Sequence, residues 1–509
     1  MNRIRLTLFG GLLTGLLLFA VFPPLDLRIL APLAPIPLLY ALAWQGAAPC
    51  PSGVGRKNGL VLWQRALAGW LAGTLQWGLM CYWIRDTLAT YGGLEGPLSW
   101  LAIVLFAAIK GLHMAVFAVL AGPLLAEPWG PLAATAALWA GLERTHGPLG
   151  FTWLLLGNAG IDMQLPLRLA PLTGVYGLSF VFMLLAGAAV FVLLRKPRRH
   201  LLALVPLAAL WLLPTVRLDQ PPNAQAVSLQ PALADTTLVS AEENDRTVRR
   251  LSFLTLQEAL DPRQPAPQLV LWPEAPAPFY YYEDAQFRDE MNTTARLAGV
   301  PMIFGGVAWT PDGRPLNSAF FLNSDGHLEG RYDKRFLVPF GEFVPPFFEW
   351  VNKVSKEAGD FQRGTRVVIF TANGHAMGPF ICYEAAFPHL VRDVTGAGAE
   401  VLVNLSNDGY FGRSAAREQH LLLARMRAVE NHRWLLRSTN DGITVSIDPA
   451  GRIWDRFPAL KRTAGRLRFG WEHAKTPYTR AGDWFAWGCL AAGLAAAGWA
   501  MLRLHARVS

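Results

Sequence analysis

The sequence predicts a bundle of membrane-spanning helices joined to a soluble α/β domain. Of its 509 residues, 52% are hydrophobic and 16% are charged, whereas soluble proteins carry about 25% charged residues. The charge deficit lies in residues 1–217 and 484–502, and the stretch between them has ordinary soluble composition. We therefore divide the chain into a transmembrane bundle (1–217), a soluble domain (218–483), and a last transmembrane helix with its tail (484–509).

Eight stretches of the chain are candidate transmembrane helices, since such a helix needs about 20 mostly apolar residues. The first has a basic start like a signal peptide, but no clear small-x-small cleavage motif follows it and a second apolar stretch begins at once, so we interpret it as an anchor. The fifth is the weakest, because it is short and contains Glu143 and Arg144. The candidates are residues 6–22, 27–45, 66–84, 98–122, 131–146, 169–194, 201–217 and 484–502.

The placement of the basic residues predicts the orientation of these helices. The net charge of +9 would suit a nucleic-acid-binding protein, but many basic residues flank apolar stretches, where Lys and Arg stay on the cytoplasmic side. With the N-terminus inside, the loop at 46–65 and the run RKPRRH at 195–200 are both cytoplasmic and basic. Seven crossings then place 218–483 outside the membrane, which for a protein of a bacterial inner membrane is the periplasm. We exclude nucleic acid as a partner.

Ionisable residues within the predicted spans are Lys110, Glu143 and Arg144. Such residues are costly in lipid, and they face the interior of a bundle or water. Two interpretations stay open: polar contacts inside the bundle, and contacts with a lipid headgroup.

Within 218–483, short apolar runs of β type alternate with helical patterns near 284–298, 386–396 and 415–432. This alternation predicts an α/β layered sandwich. The chain has no GxGxxG, Walker or HExxH motif, so we expect no cofactor and no metal. The predicted strands are AQAVSLQ (224–230), PQLVLWPE (267–274), PMIFGGVAW (301–309), NSAFFLN (317–323), RVVIF (366–370), MGPFICYE (377–384), EVLVNLSND (400–408), WLLRSTN (434–440) and GITVSID (442–448).

Cys382 is the one cysteine that the predicted topology places in the external domain, so it has no partner there. Of the other three, Cys50 lies in a predicted cytoplasmic loop, and Cys81 and Cys489 lie in spans. An unpaired thiol in an oxidising compartment is a liability unless it is buried or used. Cys382 is therefore either a small core residue at the end of a strand or a nucleophile.

Two charged residues are candidates to assist such a nucleophile. Glu274 closes the strand run LVLWPE, and Lys334 lies in RYDKRFLVPFGEFVP. A nucleophilic cysteine needs a base for the thiol proton and a cation or N–H groups for the oxyanion. Glu274 can supply the first and Lys334 the second, although either residue alone is compatible with a surface charge.

Together these motifs resemble a known family. WPE (272–274), YDKRFLVPFGE (332–342) and CYE (382–384) resemble the Glu–Lys–Cys triad of the nitrilase superfamily. With the predicted spans, the whole chain resembles the apolipoprotein N-acyltransferases, in which a multi-span bundle is joined to a periplasmic nitrilase-like α-β-β-α sandwich. Further matches are SNDGYFG (406–412), ARMRAVE (424–430), LRSTNDGIT (436–444) and TPYTRAGDW (476–484).

The resemblance implies a two-step acyl transfer. Glu274 would deprotonate Cys382, which would take an acyl chain from a phospholipid as a thioester and pass it to the α-amine of the N-terminal diacylglyceryl-cysteine of an apolipoprotein. Lys334 and a backbone N–H near Tyr383 would stabilise the oxyanion. Motif position implies Glu342 as support for Lys334 and Glu384 as an orienting or acceptor-side group, with ordinary ion pairs as the alternative for both.

Three features of the sequence depart from the family pattern. Gln230-Pro231-Ala232 stands where the family has Gln-Gly-Asn, the segment 233–250 lacks a tryptophan, and Tyr410 stands where many members have Trp. These departures bear on contacts with lipid or acceptor, not on the triad.

Two aromatic runs, FYYY (279–282) and FVPPFFEWV (343–351), predict a lid that dips into the membrane interface and keeps water from the thioester. Packing of these rings in the core is the alternative.

Two other functions remain compatible with the sequence. A membrane-tethered amidase would use the same triad, with water resolving the thioester. A transporter or receptor with an external ligand-binding domain would not need Cys382 at all.

Overall fold

The computed structural model describes residues 3–47, 57–90, 94, 96–127, 129–218, 220–233, 240–274, 279–339, 341–343 and 361–506. The chain forms two compact units, which we call the helical unit and the α/β unit. The helical unit comprises Met1–Asp86, Glu95–Thr215 and Asp483–Ser509, and the α/β unit comprises Thr87–Leu94 and Val216–Gly482.

Most of the long helices lie in the helical unit, although the α/β unit also contains one of 19 residues, Ala241–Ala259. Three 3₁₀ segments of the helical unit are Arg28–Leu30, Leu156–Asp162 and Arg198–Trp211. The α-helices are α1 (Arg3–Ala20), α2 (Ile36–Ala47), α3 (Lys57–Met80), α4 (Trp83–Thr90), α5 (Pro97–Leu124), α6 (Pro131–Arg144), α7 (Gln164–Leu167), α8 (Ala170–Thr173), α9 (Val175–Leu193), α10 (Ala241–Ala259), α11 (Ala285–Ala298), α12 (Pro388–Gly396), α13 (Ala416–Asn431), α14 (Pro477–Ala481) and α15 (Trp484–Ala506).

Three helices among the described residues are long and apolar enough to cross a membrane: Pro97–Leu124, Val175–Leu193 and Trp484–Leu504. Residues Ile4–Ala20 form a shorter apolar helix. The predicted number of about eight spanning helices is therefore not confirmed.

Two predicted spans contain 3₁₀ segments. Residues 27–45 contain a 3₁₀ turn followed by the 12-residue helix α2, and residues 201–217 lie largely in the 3₁₀ segment that ends at Trp211. Prolines interrupt both stretches: Pro35 precedes α2, and Pro206 lies inside the 3₁₀ segment. Proline has no N–H for an α-helical hydrogen bond and disfavours helical geometry in the residue before it.

Lys110 has polar contacts inside the helical unit. Its Nζ donates to Phe151 O at 2.7 Å and lies 2.8 Å from His146 Nδ1. It also lies 4.6 Å from the ring centre of Trp77. These contacts favour the intra-bundle interpretation of Lys110.

Glu143 and Arg144 have separate partners within the same unit. Glu143 Oε1 accepts hydrogen bonds from Trp139 Nε1 and Leu156 N, both at 2.9 Å. Arg144 Nε donates to Asp483 Oδ2 at 2.5 Å. Both residues are therefore engaged by groups of the bundle itself, which also favours the intra-bundle interpretation.

Twelve strands build the described part of the α/β unit. They form two six-stranded sheets, ordered β12-β1-β2-β3-β4-β5 and β11-β10-β9-β8-β7-β6. The strands are β1 (Ala224–Gln230), β2 (Leu269–Leu271), β3 (Met302–Trp309), β4 (Pro315–Leu322), β5 (Leu328–Asp333), β6 (Phe370–Ala372), β7 (His375–Ile381), β8 (Val401–Ser406), β9 (Trp434–Thr439), β10 (Val445–Ile447), β11 (Ile453–Arg456) and β12 (Thr463–Phe469).

Helices cover the outer faces of the two sheets. Helix α10 packs on β1 and β12 with α11 beside it, and α12 and α13 pack on β7 and β9. The inner faces meet, and Ser228 Oγ of β1 donates to Ser438 Oγ of β9 at 3.0 Å. The predicted α-β-β-α sandwich is therefore confirmed. Strands β1–β3 are parallel to one another in the first sheet, and strands β7–β9 are parallel to one another in the second. In each sheet, the carboxyl ends of these strands therefore lie on the same side.

The local predictions are confirmed for most elements of this unit. The run at 366–370 is the exception, since only Phe370 of this run belongs to a strand. Helix α10 was not predicted from its sequence. It begins after Ser240, whose hydroxyl accepts from Glu243 N at 3.2 Å as an N-cap.

The run at 279–282 lies mainly in the hydrophobic core rather than in a lid. Phe279 stacks on Phe287 at 4.9 Å between ring centres, and Tyr281 is buried against Phe320. Tyr282 is 45% exposed. Of the second aromatic run, 343–351, the residues after Phe343 lie outside the described part of the chain.

Helices α3 and α5 approach each other closely at glycine residues. A Cβ atom added at Gly73 would lie 2.8 Å from Gly111 Cα, and one added at Gly111 would lie 2.8 Å from Trp70 O. Small residues allow this approach between membrane helices, where contact between backbones replaces the hydrophobic effect as the source of association.

We expect Gly111→Val to lower the midpoint of thermal unfolding in detergent, because overpacking a closed contact costs about 1–3 kcal/mol. The matched control is Gly498→Val in α15, where an added Cβ would meet no atom within 4 Å. Differential scanning fluorimetry of both variants measures the effect. Equal midpoints for the two variants would contradict the close packing of α3 against α5.

Candidate active site

Cys382 lies immediately after β7, at the start of a 3₁₀ turn that runs over Cys382–Ala386. Its φ angle is +49°, in the left-handed region that costs a non-glycine residue about 1–3 kcal/mol. The side chain is 4% exposed. The thiol is therefore presented at the carboxyl end of a parallel strand by a backbone conformation that the surroundings must hold.

Glu274 follows β2 at the equivalent edge of the other sheet, and both of its carboxylate oxygens are engaged. Oε1 accepts from Lys334 Nζ at 3.1 Å and from Asn317 Nδ2 at 2.7 Å. Oε2 accepts from the backbone N–H of Asn407 at 2.8 Å. These bonds fix the orientation of the carboxylate.

Lys334 follows β5 and is 1% exposed. Its Nζ donates to Glu274 Oε1 at 3.1 Å and to Glu342 Oε1 at 2.9 Å. Burial disfavours the charged ammonium, but the two carboxylates, with a smaller contribution from Cys382, outweigh it and raise the pKa of Lys334 well above its usual value. The side chain is therefore a permanent cation at neutral pH.

The thiol of Cys382 is electrostatically coupled to this group. Burial and the charge of Glu274 raise the pKa of Cys382 above its usual value, although Lys334 and a hydrogen bond with Ser406 act in the opposite direction. The resting thiol is therefore protonated at neutral pH. A reaction at Cys382 needs a base that removes the proton during the attack.

Glu342 completes the group around Lys334. Its Oε1 also accepts from Asn317 Nδ2 at 2.6 Å, and its Oε2 accepts from Val338 N at 2.8 Å. The structure thus brings four of the residues singled out from the sequence together: Glu274, Lys334, Glu342 and Cys382.

Glu384 is fully buried behind the Cys382 turn, where four residues donate to its carboxylate. Tyr332 Oη lies 2.8 Å from both oxygens, and the backbone N–H groups of Arg335, Phe336 and Ile381 lie 2.7–3.1 Å away. Burial raises its pKa, which these hydrogen bonds oppose. Glu384 links the segment after β5 to the Cys382 turn, which favours the orienting interpretation over the acceptor-side one.

Tyr383 is also buried, and its ring packs edge-to-face on Phe387 at 5.0 Å between ring centres. Because Tyr383 directly follows Cys382, the backbone N–H of Tyr383 is the group of this residue that could stabilise an oxyanion at Cys382. The side chain belongs to the core.

A second buried network contacts the backbone of Cys382 and was not anticipated from the sequence. Asp408 Oδ1 accepts from Arg437 Nη2 at 2.7 Å and from Ser406 Oγ at 2.9 Å, and it lies 3.2 Å from His420 Nδ1. Burial disfavours the Asp408 carboxylate, but Arg437 and His420 outweigh burial and lower its pKa. Asp408 is therefore ionised and paired in the interior.

The asparagines that hold Glu274 were also missed. Asn317 lies inside a predicted strand, and Asn407 lies in the motif SNDGYFG, which had been noted for its resemblance alone. Polar residues within an apolar strand run, or directly after one, are the signal that points to them, because buried polar groups need partners.

Two of the residues that depart from the family pattern, Gln230 and Ala232, are held by hydrogen bonds. Gln230 Nε2 donates to Pro458 O and Lys461 O, both at 2.8 Å, and Ala232 N donates to Asn440 O at 2.8 Å. Tyr410 is partly exposed. Residues 234–239 lie outside the described part of the chain.

We expect Asp408→Asn to destabilise the α/β unit by about 3–5 kcal/mol, because it leaves the buried Arg437 without its counter-charge. The control is Asp312→Asn, which breaks an exposed pair with Arg314 whose contribution is about 0–1 kcal/mol. Thermal or denaturant unfolding followed by circular dichroism compares the two variants. Similar stability of both would show that the Asp408–Arg437 pair is not held in the interior.

Comparisons with known proteins cover nearly the whole chain. Residues 14–188 match the family model of the apolipoprotein N-acyltransferase N-terminal domain, and residues 231–463 match that of carbon-nitrogen hydrolases. The apolipoprotein N-acyltransferase of Geobacter metallireducens is 32% identical over 491 residues, covering 92% of each chain. That of Methylococcus capsulatus is 33% identical over 515 residues, covering 97% of this chain and 95% of its own.

Among solved structures, an amidase from Nesterenkonia sp. matches 52% of this chain and 94% of its own, with 17% identity and a TM-score of 0.36. That score is too low to support any inference about this chain.

Proposed function

Because the chain belongs to the apolipoprotein N-acyltransferase family, we propose that it transfers an acyl chain from a phospholipid to the α-amine of the N-terminal diacylglyceryl-cysteine of an apolipoprotein. The chain is an acyltransferase of the membrane with a nitrilase-superfamily domain. The observation that carries the finer proposal is the buried group in which Glu274 and Lys334 hydrogen-bond beside the protonated thiol of Cys382.

In the first step, Glu274 takes the thiol proton as Cys382 Sγ attacks the ester carbonyl of the phospholipid. A carbon–sulfur bond forms, and the oxyanion is stabilised by the Lys334 ammonium and the backbone N–H of Tyr383. The carbon–oxygen bond then breaks, Glu274 returns its proton to the leaving alkoxide, and lysophospholipid departs. The product is a thioester on Cys382.

In the second step, the α-amine of the diacylglyceryl-cysteine attacks the thioester. Glu274 removes a proton from the amine, the carbon–sulfur bond breaks, and the thiolate of Cys382 recovers the proton. Neither step uses a cofactor. The fixed hydrogen bonds of Glu274 with Asn317 and Asn407 support this role, since they keep one carboxylate oriented through two proton transfers.

The membrane arrangement is part of the proposal. Residues 1–217 and 484–509 would form the membrane-embedded part of the inner membrane protein, and α5, α9 and α15 are the helices of its described part that are long and apolar enough to span the membrane. Residues 218–483 would lie in the periplasm, as the basic loops predict. Both substrates are lipids, so an enzyme anchored in this way meets them in the plane of the membrane.

An amidase activity is the second candidate, because residues 231–463 match the carbon-nitrogen hydrolases. In that reaction water instead of an amine would resolve the thioester. The match of residues 14–188 to the N-acyltransferase N-terminal domain favours transfer. Formation of free fatty acid without acylated peptide would identify the hydrolase.

We expect the purified protein to gain the mass of one acyl chain after incubation with phospholipid, because Cys382 forms a thioester. The adduct should be lost on treatment with hydroxylamine and be absent from Cys382→Ser. Cys489→Ser, which removes a thiol of α15, is the matched control and should keep the adduct. Intact-protein mass spectrometry makes the measurement. No adduct on protein whose Cys382 thiol titrates normally would reject the thioester.

We expect Glu274→Gln to slow acyl transfer by about 10²–10⁴-fold, which is the usual contribution of a general base. Gln keeps the shape of the side chain and an oxygen that can accept hydrogen bonds but cannot take the thiol proton. Glu329→Gln, at an exposed carboxylate of β5, is the control. Rates come from acylation of a diacylglyceryl peptide, and nearly unchanged turnover by Glu274→Gln would assign the base to another group.

A further inference from the structure

His420 of α13 contacts the backbone of the nucleophile. Its Nε2 lies 3.0 Å from the carbonyl oxygen of Cys382, and the side chain is fully buried. A carbonyl oxygen can only accept a hydrogen bond, so Nε2 carries a proton and donates it.

The other nitrogen of His420 is held by the buried network. Nδ1 lies 3.0 Å from Arg437 Nη2 and 3.2 Å from Asp408 Oδ1. Nδ1 thus faces both the guanidinium of Arg437 and the carboxylate of Asp408, and these two groups hold the ring on the side opposite to Nε2. Burial and the charge of Arg437 lower the pKa of His420, although Asp408 opposes this effect.

Arg437 is itself fixed within this network. Nη2 donates to both carboxylate oxygens of Asp408, at 2.7 and 2.9 Å, and Nη1 donates to Asn404 Oδ1. All of these groups are fully buried. The orientation of the His420 ring is therefore determined by an ion pair that cannot exchange its partners for water.

The contact with the Cys382 carbonyl also determines the direction of a neighbouring N–H. The carbonyl of Cys382 and the N–H of Tyr383 belong to one planar trans peptide group, so they point in opposite directions. Holding the carbonyl toward His420 therefore directs the Tyr383 N–H to the opposite side of that peptide. The φ of +49° at Cys382 is strained, so the peptide plane needs an external contact to keep it.

We propose that His420, held by Asp408 and Arg437, is a positioning residue that fixes the Cys382–Tyr383 peptide plane and thereby aims the Tyr383 N–H at the oxyanion of acyl transfer. The inference rests on the proposed function for the acyl chemistry, but it concerns one peptide group of the site. In this role His420 acts through the Cys382–Tyr383 peptide group and not on the substrate.

The test is a pair of amide substitutions that differ in reach. In His420→Gln the side-chain amide nitrogen can occupy the position of Nε2 and donate to the Cys382 carbonyl, whereas in His420→Asn it reaches only the position of Nδ1. We expect His420→Asn to lower kcat about 10²–10³-fold, the usual effect of losing an oxyanion donor, with KM nearly unchanged. His420→Gln should recover most of that loss.

The rate of Cys382 alkylation distinguishes loss of the aimed Tyr383 N–H from a general disruption of the site. Alkylation of Cys382 by iodoacetamide forms no oxyanion, so its rate should be nearly the same in wild type, His420→Asn and His420→Gln. Parallel loss of alkylation and transfer in His420→Asn would overturn the proposal, and so would equal kcat values for the two variants.

Two further measurements cover the remaining outcomes. If His420→Asn does not fold, replacement of Tyr383 by its α-hydroxy acid removes the same N–H and should lower kcat about 10²–10³-fold; an unchanged kcat would overturn the proposal. The acylation burst with a p-nitrophenyl ester tests His420 independently of the natural donor. A wild-type burst without any transfer from phospholipid would reject the proposed function and leave this inference testable.

Discussion

The buried ammonium of Lys334 is the group on which the rest of the site depends. It lies between the carboxylates of Glu274 and Glu342, which it contacts at 3.1 and 2.9 Å, and Asn317 donates to the same two carboxylates. Removing a charge of this kind from water is costly unless its partners are fixed. The four side chains come from segments that one sheet holds in place: Glu274 follows β2, Asn317 lies in β4, and Lys334 and Glu342 follow β5.

The electrostatics of this group also define what Cys382 can do. Burial raises the pKa of the thiol above its usual value, the charges of Glu274 and Asp408 add to this effect, and Lys334 opposes it. In the proposed mechanism the resting thiol stays protonated until Glu274 takes its proton, and the Lys334 ammonium stabilises the oxyanion that develops during the reaction.

The second buried network contacts the backbone of Cys382 through His420. A strained φ persists only where the surroundings over-determine it. Glu384 holds the N–H of Ile381 on one side of the nucleophile, and His420 holds the carbonyl of Cys382 on the other. Cys382 is thus held through its own carbonyl and through the N–H of the preceding residue, by side chains that are fully buried.

The sequence by itself determined an α/β layered sandwich and most of its strands, because strand periodicity is readable locally, and the needs of a cysteine nucleophile singled out Glu274, Lys334 and Cys382. The α-β-β-α order followed from the resemblance to the nitrilase superfamily. Only the tertiary structure decided which groups hold these three residues. Asn407 reaches Glu274 across 133 positions of the chain, and His420 reaches Cys382 across 38, since parallel strands of two sheets bring remote loops to one edge. The 3₁₀ conformation of Arg198–Trp211 was equally hidden, because hydropathy records the apolar character of a segment but not the hydrogen bonds that Pro206 removes.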